Sequence, residues 1–310
     1  MVKAYKGYED HLASNLCEKN EDEKEAAARQ AKVLISYDLP EGMSMEDIEI
    51  DGPDDSQKLT LRIYRPKNLS ENAPVVLDIH GGGWVGGNLD IDNYRCIEIA
   101  KRTPCLVVSV AYRLTTKEVC YPKPLMDCLS ALQYIYNHAL ELGVDKNKIA
   151  LHGTSAGANI AAGLALYVRD HCDFELKFTI LNCPVLTLDY VRDPSFRDLK
   201  EYRMRSKKPD ENVDYLYLGG YTEDIPPIYA FAGYCKDLKG LCPHMIIVGE
   251  YDTLRDDGMR YANHLLEQQV PCELILAPRV GHGFCTVPEK LTQWVHEGVA
   301  LSLRREFEMI

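Results

Sequence analysis

A chain of 310 residues, 46% of them hydrophobic and 26% charged, is long enough for one large α/β domain with an insertion. A formal net charge of −12 argues against nucleic acid or an anionic membrane surface as a partner. The eleven cysteines are scattered and include no Cys-x-x-Cys pair, so neither a zinc site nor a disulfide framework is expected, and a reducing cytoplasm is the expected compartment.

In chain order, Met1–Leu16 is polar throughout and carries no apolar signal-peptide core, and no later run approaches the roughly 18 apolar residues of a transmembrane helix. Residues 1–45 read as polar N-terminal helices of a cap, with Glu21–Lys32 rich in good helix formers. Asp47–Asp51 and Leu59–Arg65 alternate apolar and polar side chains as half-buried strands do. Pro74–His80 and Cys105–Ala111 are nearly continuous apolar strands, separated by a helix over Asp90–Arg102 that Asp90 or Asp92 would cap. A helix over Pro124–Leu142, a strand at Ile149–His152, a helix over Ala158–Val168 and a strand at Phe178–Cys183 continue the rhythm. It breaks over 188–235, which is rich in Tyr, Asp, Arg, Pro and Gly and reads as a cap insertion over the strand ends. It resumes with strand His244–Gly249, a helix over Asp256–Gln268, strand Cys272–Ala277 and a last helix over Glu289–Phe307. The expectation is a mostly parallel sheet with helices on both faces, formed by 46–187 and 236–310.

Four short motifs carry chemistry. Gly153-Thr154-Ser155-Ala156-Gly157 follows an apolar strand and opens a helix, a strand-turn-helix that lifts a serine hydroxyl off the end of a sheet. His80-Gly81-Gly82-Gly83-Trp84 follows another strand, and its bare N–H groups suit a developing oxyanion; with Ala156, Gly82 and Gly83 are the candidate donors. Gly81, Gly83 and Gly86 also fit a dinucleotide-binding spacing, but the next strand ends Ser109-Val110-Ala111-Tyr112 without the carboxylate that would hold a ribose. Asp252, after the strand 244–249, is the expected acid, with Glu250 the weaker choice; Asp256 and Asp257 read as helix-opening carboxylates. His282, between Gly281 and Gly283 after the last strand, is the expected base. The order Ser155, Asp252, His282 is that of the α/β-hydrolases among triad folds.

Together these residues resemble the hormone-sensitive-lipase-like branch of the α/β-hydrolase esterases, the bacterial family IV, from Asp47 to the C-terminus. Ala111-Tyr112-Arg113-Leu114, Tyr217-Leu218-Gly219-Gly220 and Asp252-Thr253-Leu254-Arg255-Asp256-Asp257-Gly258 strengthen the resemblance. Thr154 stands where many members have Asp, which resembles the Gly-Thr-Ser-Ala-Gly subgroup, and Thr253 stands where Pro is usual. The resemblance implies an α/β-hydrolase fold with a helical cap and a homodimer through the strand 272–277. The expected activity is hydrolysis of small soluble short-chain esters by Ser155, His282 and Asp252 without metal or organic cofactor. Trp84, Tyr215 and Phe284 are candidates for the substrate wall; the cap tyrosines either line that wall or pack the cap onto the sheet. Amide or formamide cleavage by the same triad, and a non-catalytic receptor of the same fold, are the competing functions.

Overall fold

Eight strands form one sheet in the order β1-β2-β4-β3-β5-β6-β7-β8 in the computed structural model, which describes residues 3–14, 38–54, 57–199, 202, 213–220 and 227–310. The strands are β1 (Met43–Asp51), β2 (Lys58–Pro66), β3 (Ala73–Ile79), β4 (Leu106–Val110), β5 (Val144–Thr154), β6 (Phe178–Asn182), β7 (His244–Gly249) and β8 (Cys272–Ala277). β1 runs antiparallel to β2 and β2 antiparallel to β4, while all pairs from β4 to β8 are parallel. The helices are α1 (Glu9–Ser14), α2 (Asn93–Arg102), α3 (Lys123–Asn137), α4 (Ala139–Leu142), α5 (Ala156–His171), α6 (Pro194–Asp198), α7 (Val213–Tyr217), α8 (Arg255–Glu267) and α9 (Lys290–Glu306).

Helices cover both faces of the inner strands, so those strands are apolar at every position rather than every second one. β3 is buried throughout; Val75, Leu77 and Ile79 join the core containing α3, α5 and α8, while Val76 joins the opposite core with Ile97 of α2 and Val295, Val299 and Leu303 of α9. Asp78 shares the parity of Val76, and it too is buried toward α2.

Most expected elements stand within a few residues of their places, with β7 and β8 bounded as read. β1 starts at Met43, inside the stretch assigned to N-terminal helices, and runs in register to Asp51↔Lys58. The expected helix Glu21–Lys32 lies outside the described residues. Asp92 is the N-cap of α2 by position, yet its carboxylate takes a bond from Arg95 instead of capping the helix. Over 188–235 the described pieces are α6, α7 and short 3-10 turns.

Candidate active site

The loops after β3, β5, β7 and β8 all leave the carboxyl end of the parallel strands, where open α/β sheets leave room for a site. After β5 the chain turns directly into α5, and Ser155 takes φ +57° and ψ −117°. That left-handed backbone is costly for a non-glycine residue and persists only when its surroundings hold it. Here Ser155 N–H donates to Asn182 O of β6 at 2.8 Å. The flanking glycines are steric necessities: a Cβ at Gly153 would lie 2.3 Å from Gly157 O, and one at Gly157 would lie 2.0 Å from Ile79 O.

The structure joins Ser155, His282 and Asp252, which come from three separate loops, in one hydrogen-bonded chain. Ser155 Oγ lies 2.8 Å from His282 Nε2, and His282 Nδ1 lies 2.9 Å from Asp252 Oδ2. Asp252 is fully buried, and its other oxygen accepts the Leu254 N–H at 2.8 Å. The imidazole is part-exposed. With Nδ1 donating to the carboxylate, Nε2 is left to accept the serine proton. Glu250 turns away to accept the Arg279 N–H at 2.7 Å.

The glycine loop lies against the serine turn: a Cβ at Gly81 would meet Thr154 O at 3.0 Å and Ser155 Cβ at 3.4 Å. Gly82 (φ +131°) and Gly83 (φ +61°) adopt backbone open to glycine, and among the described residues no acceptor takes their N–H groups. Ala156 is the first residue of α5, where the N–H has no acceptor within the helix. The loop does not open a helix, since α2 begins only at Asn93, so the helix N-terminus that a dinucleotide fingerprint requires is missing behind it.

Two of the three wall candidates are packing residues. Trp84 is wholly buried, stacks on Tyr217 at 4.6 Å and donates its indole N–H to Asn159 Oδ1 at 3.2 Å. Phe284 follows the His282 loop but faces the other core, edge-on to Tyr8 at 6.4 Å, because it opens a 3-10 turn whose carbonyl is held by Thr292 of α9. Tyr215, on α7, is 42% exposed. Of the other cap aromatics, Tyr190, Tyr202, Tyr217 and Phe231 are buried and pack the cap; Tyr221 lies outside the described residues. Asp257 and Asp256 sit in the first turn of α8 and take side-chain bonds from Arg260 and Arg255 of that helix, but they also hold backbone N–H groups of the segment after β6. Asp257 accepts the N–H groups of Leu186 and Thr187, and Asp256 accepts that of Ser195.

Residues that sequence reasoning passed over also meet here. His11 of α1 packs against Gly283, next to the imidazole; burial first, then the neighbouring His282, pushes its pKa down to about 4. Cys183, directly after β6, is buried with its Sγ accepting the Gly283 N–H at 3.4 Å, and burial pushes its thiol well up. Its Sγ and the ligand atoms of Asp252 and His282 lie within 4.8 Å of one another; both partners are members of the triad chain. A cysteine ending an apolar strand gives no sequence signal that distinguishes this place from ordinary core.

An α/β sheet with a serine elbow after β5, a buried carboxylate after β7 and a histidine after β8 defines the class of the α/β hydrolases. Residues 76–286 match the alpha/beta hydrolase fold family, and the chain belongs to it, in the hormone-sensitive-lipase-like branch. It is 33% identical over 266 residues to "Esterase LipI" of Mycobacterium tuberculosis, covering 85% of this chain and 82% of that protein. It is 35% identical over 266 residues to "Carboxylesterase NlhH" of the same organism, covering 84% and 81%. A solved arylesterase structure superposes with a TM-score of 0.86 at 26% identity, covering 98% of this chain and all of that one.

Proposed function

We propose that the chain is a carboxylesterase that hydrolyses small, soluble, short-chain acyl esters through an acyl-enzyme on Ser155. The observation that carries this is the unbroken chain Ser155–His282–Asp252 beside the unengaged N–H groups of Gly82 and Gly83. Ser155 Oγ attacks the ester carbonyl as His282 Nε2 takes its proton, and Asp252 holds the tautomer and stabilises the imidazolium. The N–H groups of Gly82, Gly83 and Ala156 take the oxyanion. His282 then protonates the leaving alkoxide and activates water for deacylation.

Short acyl chains are favoured because most exposed apolar side chains gather elsewhere. Leu274 and Leu276 are exposed on the edge strand β8, three strands from β5, and Trp294 and Leu301 on α9, while among the described residues beside the glycine loop only Val85 and, on α7, Tyr215 are exposed. That same edge supports a homodimer through β8, which light scattering tests. The ten described cysteines are all unpaired, which supports a reducing cytoplasm, and no described helix is long and apolar enough to cross a membrane.

The test is fluorophosphonate labelling with an acyl-length series on nitrophenyl esters, and a matched anilide for the amide reading. Wild type labels and prefers chains of about four carbons or fewer, and Ser155→Ala loses at least about 1,000-fold in kcat. Undiminished turnover by clean Ser155→Ala refutes the triad; preference for chains beyond ten carbons refutes the substrate class. Absence of labelling in wild type favours the receptor.

A further inference from the structure

Behind the nucleophile lies a buried polar network for which the proposed reaction gives no role. Arg95, on α2, is 1% exposed. Its Nη1 donates to Thr154 Oγ1 and to Asp92 Oδ1, both at 2.6 Å, and its Nη2 and Nε donate to Asp78 Oδ1 at 2.8 and 3.3 Å. Asp78 is shared with His152 Nδ1 at 3.0 Å and Ser109 Oγ at 3.2 Å. A buried guanidinium is retained only where its charge and its fork of donors are matched, and here two carboxylates and a hydroxyl match them. Burial raises the Asp78 carboxyl, but the Arg95 charge and the His152 bond outweigh it and hold the group well below the usual carboxylate range.

The network continues from Thr154 toward the base. Thr154 Oγ1 accepts a second bond, from Asn182 Nδ2 at 3.2 Å, and Asn182 O accepts the Ser155 N–H. Cys183 Sγ donates to Asn182 Oδ1 at 3.4 Å and accepts the Gly283 N–H at the same distance. The residue before the nucleophile and the residue after the base are therefore tied by side chains of α2, β5 and β6. Each neighbouring backbone is in the left-handed region, with φ +57° at Ser155, +51° at Cys183 and +72° at Gly283, so local preference alone does not hold these turns.

We propose that Arg95 is a positioning residue which, through the hydroxyl of Thr154 and on to Asn182, Cys183 and Gly283, sets the approach of Ser155 to His282. This assigns Thr154, beside the nucleophile, a task within the protein and away from substrate. Its oxygen accepts from two donors, so what position 154 needs is an acceptor. Serine preserves that acceptor, while valine keeps the shape and removes it. Lysine at 95 is a single point charge and does not span Thr154, Asp92 and Asp78 together.

The proposal rests on the reading of Ser155 as nucleophile, and the test separates the two. Thr154→Val, Thr154→Ala, Thr154→Ser and Arg95→Lys are compared for kcat, KM and second-order fluorophosphonate labelling, each per folded molecule counted by circular dichroism. Thr154→Val and Arg95→Lys lose up to about 100-fold in kcat and in labelling rate with KM within about twofold, because the reacting atoms are misplaced while the binding surface stands. Thr154→Ser stays within about threefold of wild type. Folded Thr154→Val or Thr154→Ala labelling at the wild-type rate overturns the proposal, as does a Thr154→Ser loss as deep as that of Thr154→Val. If wild type itself fails to label, the nucleophile assignment falls instead.

Discussion

Asp252→Asn isolates the part of the site that the structure specifies most tightly. One carboxylate oxygen accepts the Leu254 N–H at 2.8 Å and the other faces His282 Nδ1 at 2.9 Å. In the asparagine variant the amide oxygen stays with Leu254, because that buried N–H has only an acceptor to meet, and the amide NH2 then faces the imidazole. Nδ1 must accept, the ring proton moves to Nε2, and the base loses the lone pair that takes the Ser155 proton. Flipping the amide restores the tautomer but sets NH2 against the Leu254 N–H, an orphaned donor worth about 1–3 kcal/mol. The charge-assisted bond to the imidazolium, worth about 1.5–3 kcal/mol, is lost in either arrangement. Together these raise the barrier by about 2.5–6 kcal/mol, a fall of about 10²- to 10⁴-fold in kcat at 1.36 kcal/mol per decade. The assay is kcat and KM on a nitrophenyl acetate at neutral pH, with thermal melting to confirm the fold. A folded variant that loses less than about tenfold refutes the assignment of Asp252 as the orienting acid.

Two further outcomes concern stability. Asn159 is fully buried in α5, accepts the Trp84 indole N–H, and donates to Val185 O at 3.0 Å and Ala230 O at 2.8 Å. Asn159→Ala orphans three groups that join cap, glycine loop and sheet, and costs about 3 kcal/mol or more in urea unfolding; an unchanged midpoint refutes that accounting. Burial also pushes the pKa of His11 and His244 down to about 4 and that of His296 to about 3, from 6.5. These rings are neutral in the native state and take up protons near pH 6.5 on unfolding. Their penalty is therefore absent above that pH and grows as pH falls from about 6.5, levelling off below about 4 for His11 and His244 and below about 3 for His296. Each contributes about 1.4 kcal/mol per pH unit inside the window. Urea midpoints measured at pH 7, 6 and 5 fall steeply below 6.5, and equal midpoints contradict neutral burial of these histidines.

Where reading the sequence fell short, the cause is competition among side-chain partners that the local pattern does not state, mostly between distant segments. Phe284 stands two residues after His282 and was expected in the substrate wall, but its direction is set by Tyr8 and Thr292, from the two ends of the chain. Asp92 sits at the N-cap position, yet a buried Arg95 competes for its carboxylate more strongly than the helix amides do. Asp257 was read as serving its own helix, and the amides of Leu186 and Thr187, which lead out of β6, also claim it. The tyrosines of the cap presented two readings because composition does not state which way a ring points; Tyr190, Tyr202 and Tyr217 are buried, Tyr217 against Trp84, while Tyr215 is exposed.

By itself the sequence determined the order of strands and helices, the elbow at Ser155, and the positions of Asp252 and His282 after the last two strands. Those are local matters, because apolar runs, glycine spacing and strand exits are written in neighbouring residues. Only the tertiary structure decided the lengths of 2.8 and 2.9 Å that join the three residues. The same holds for the inward turn of Trp84 and Phe284, and for the path from Arg95 through Thr154 to Gly283. Each of those depends on side chains brought together from segments tens to hundreds of residues apart, where burial makes an unmatched charge or donor costly enough to choose the partner.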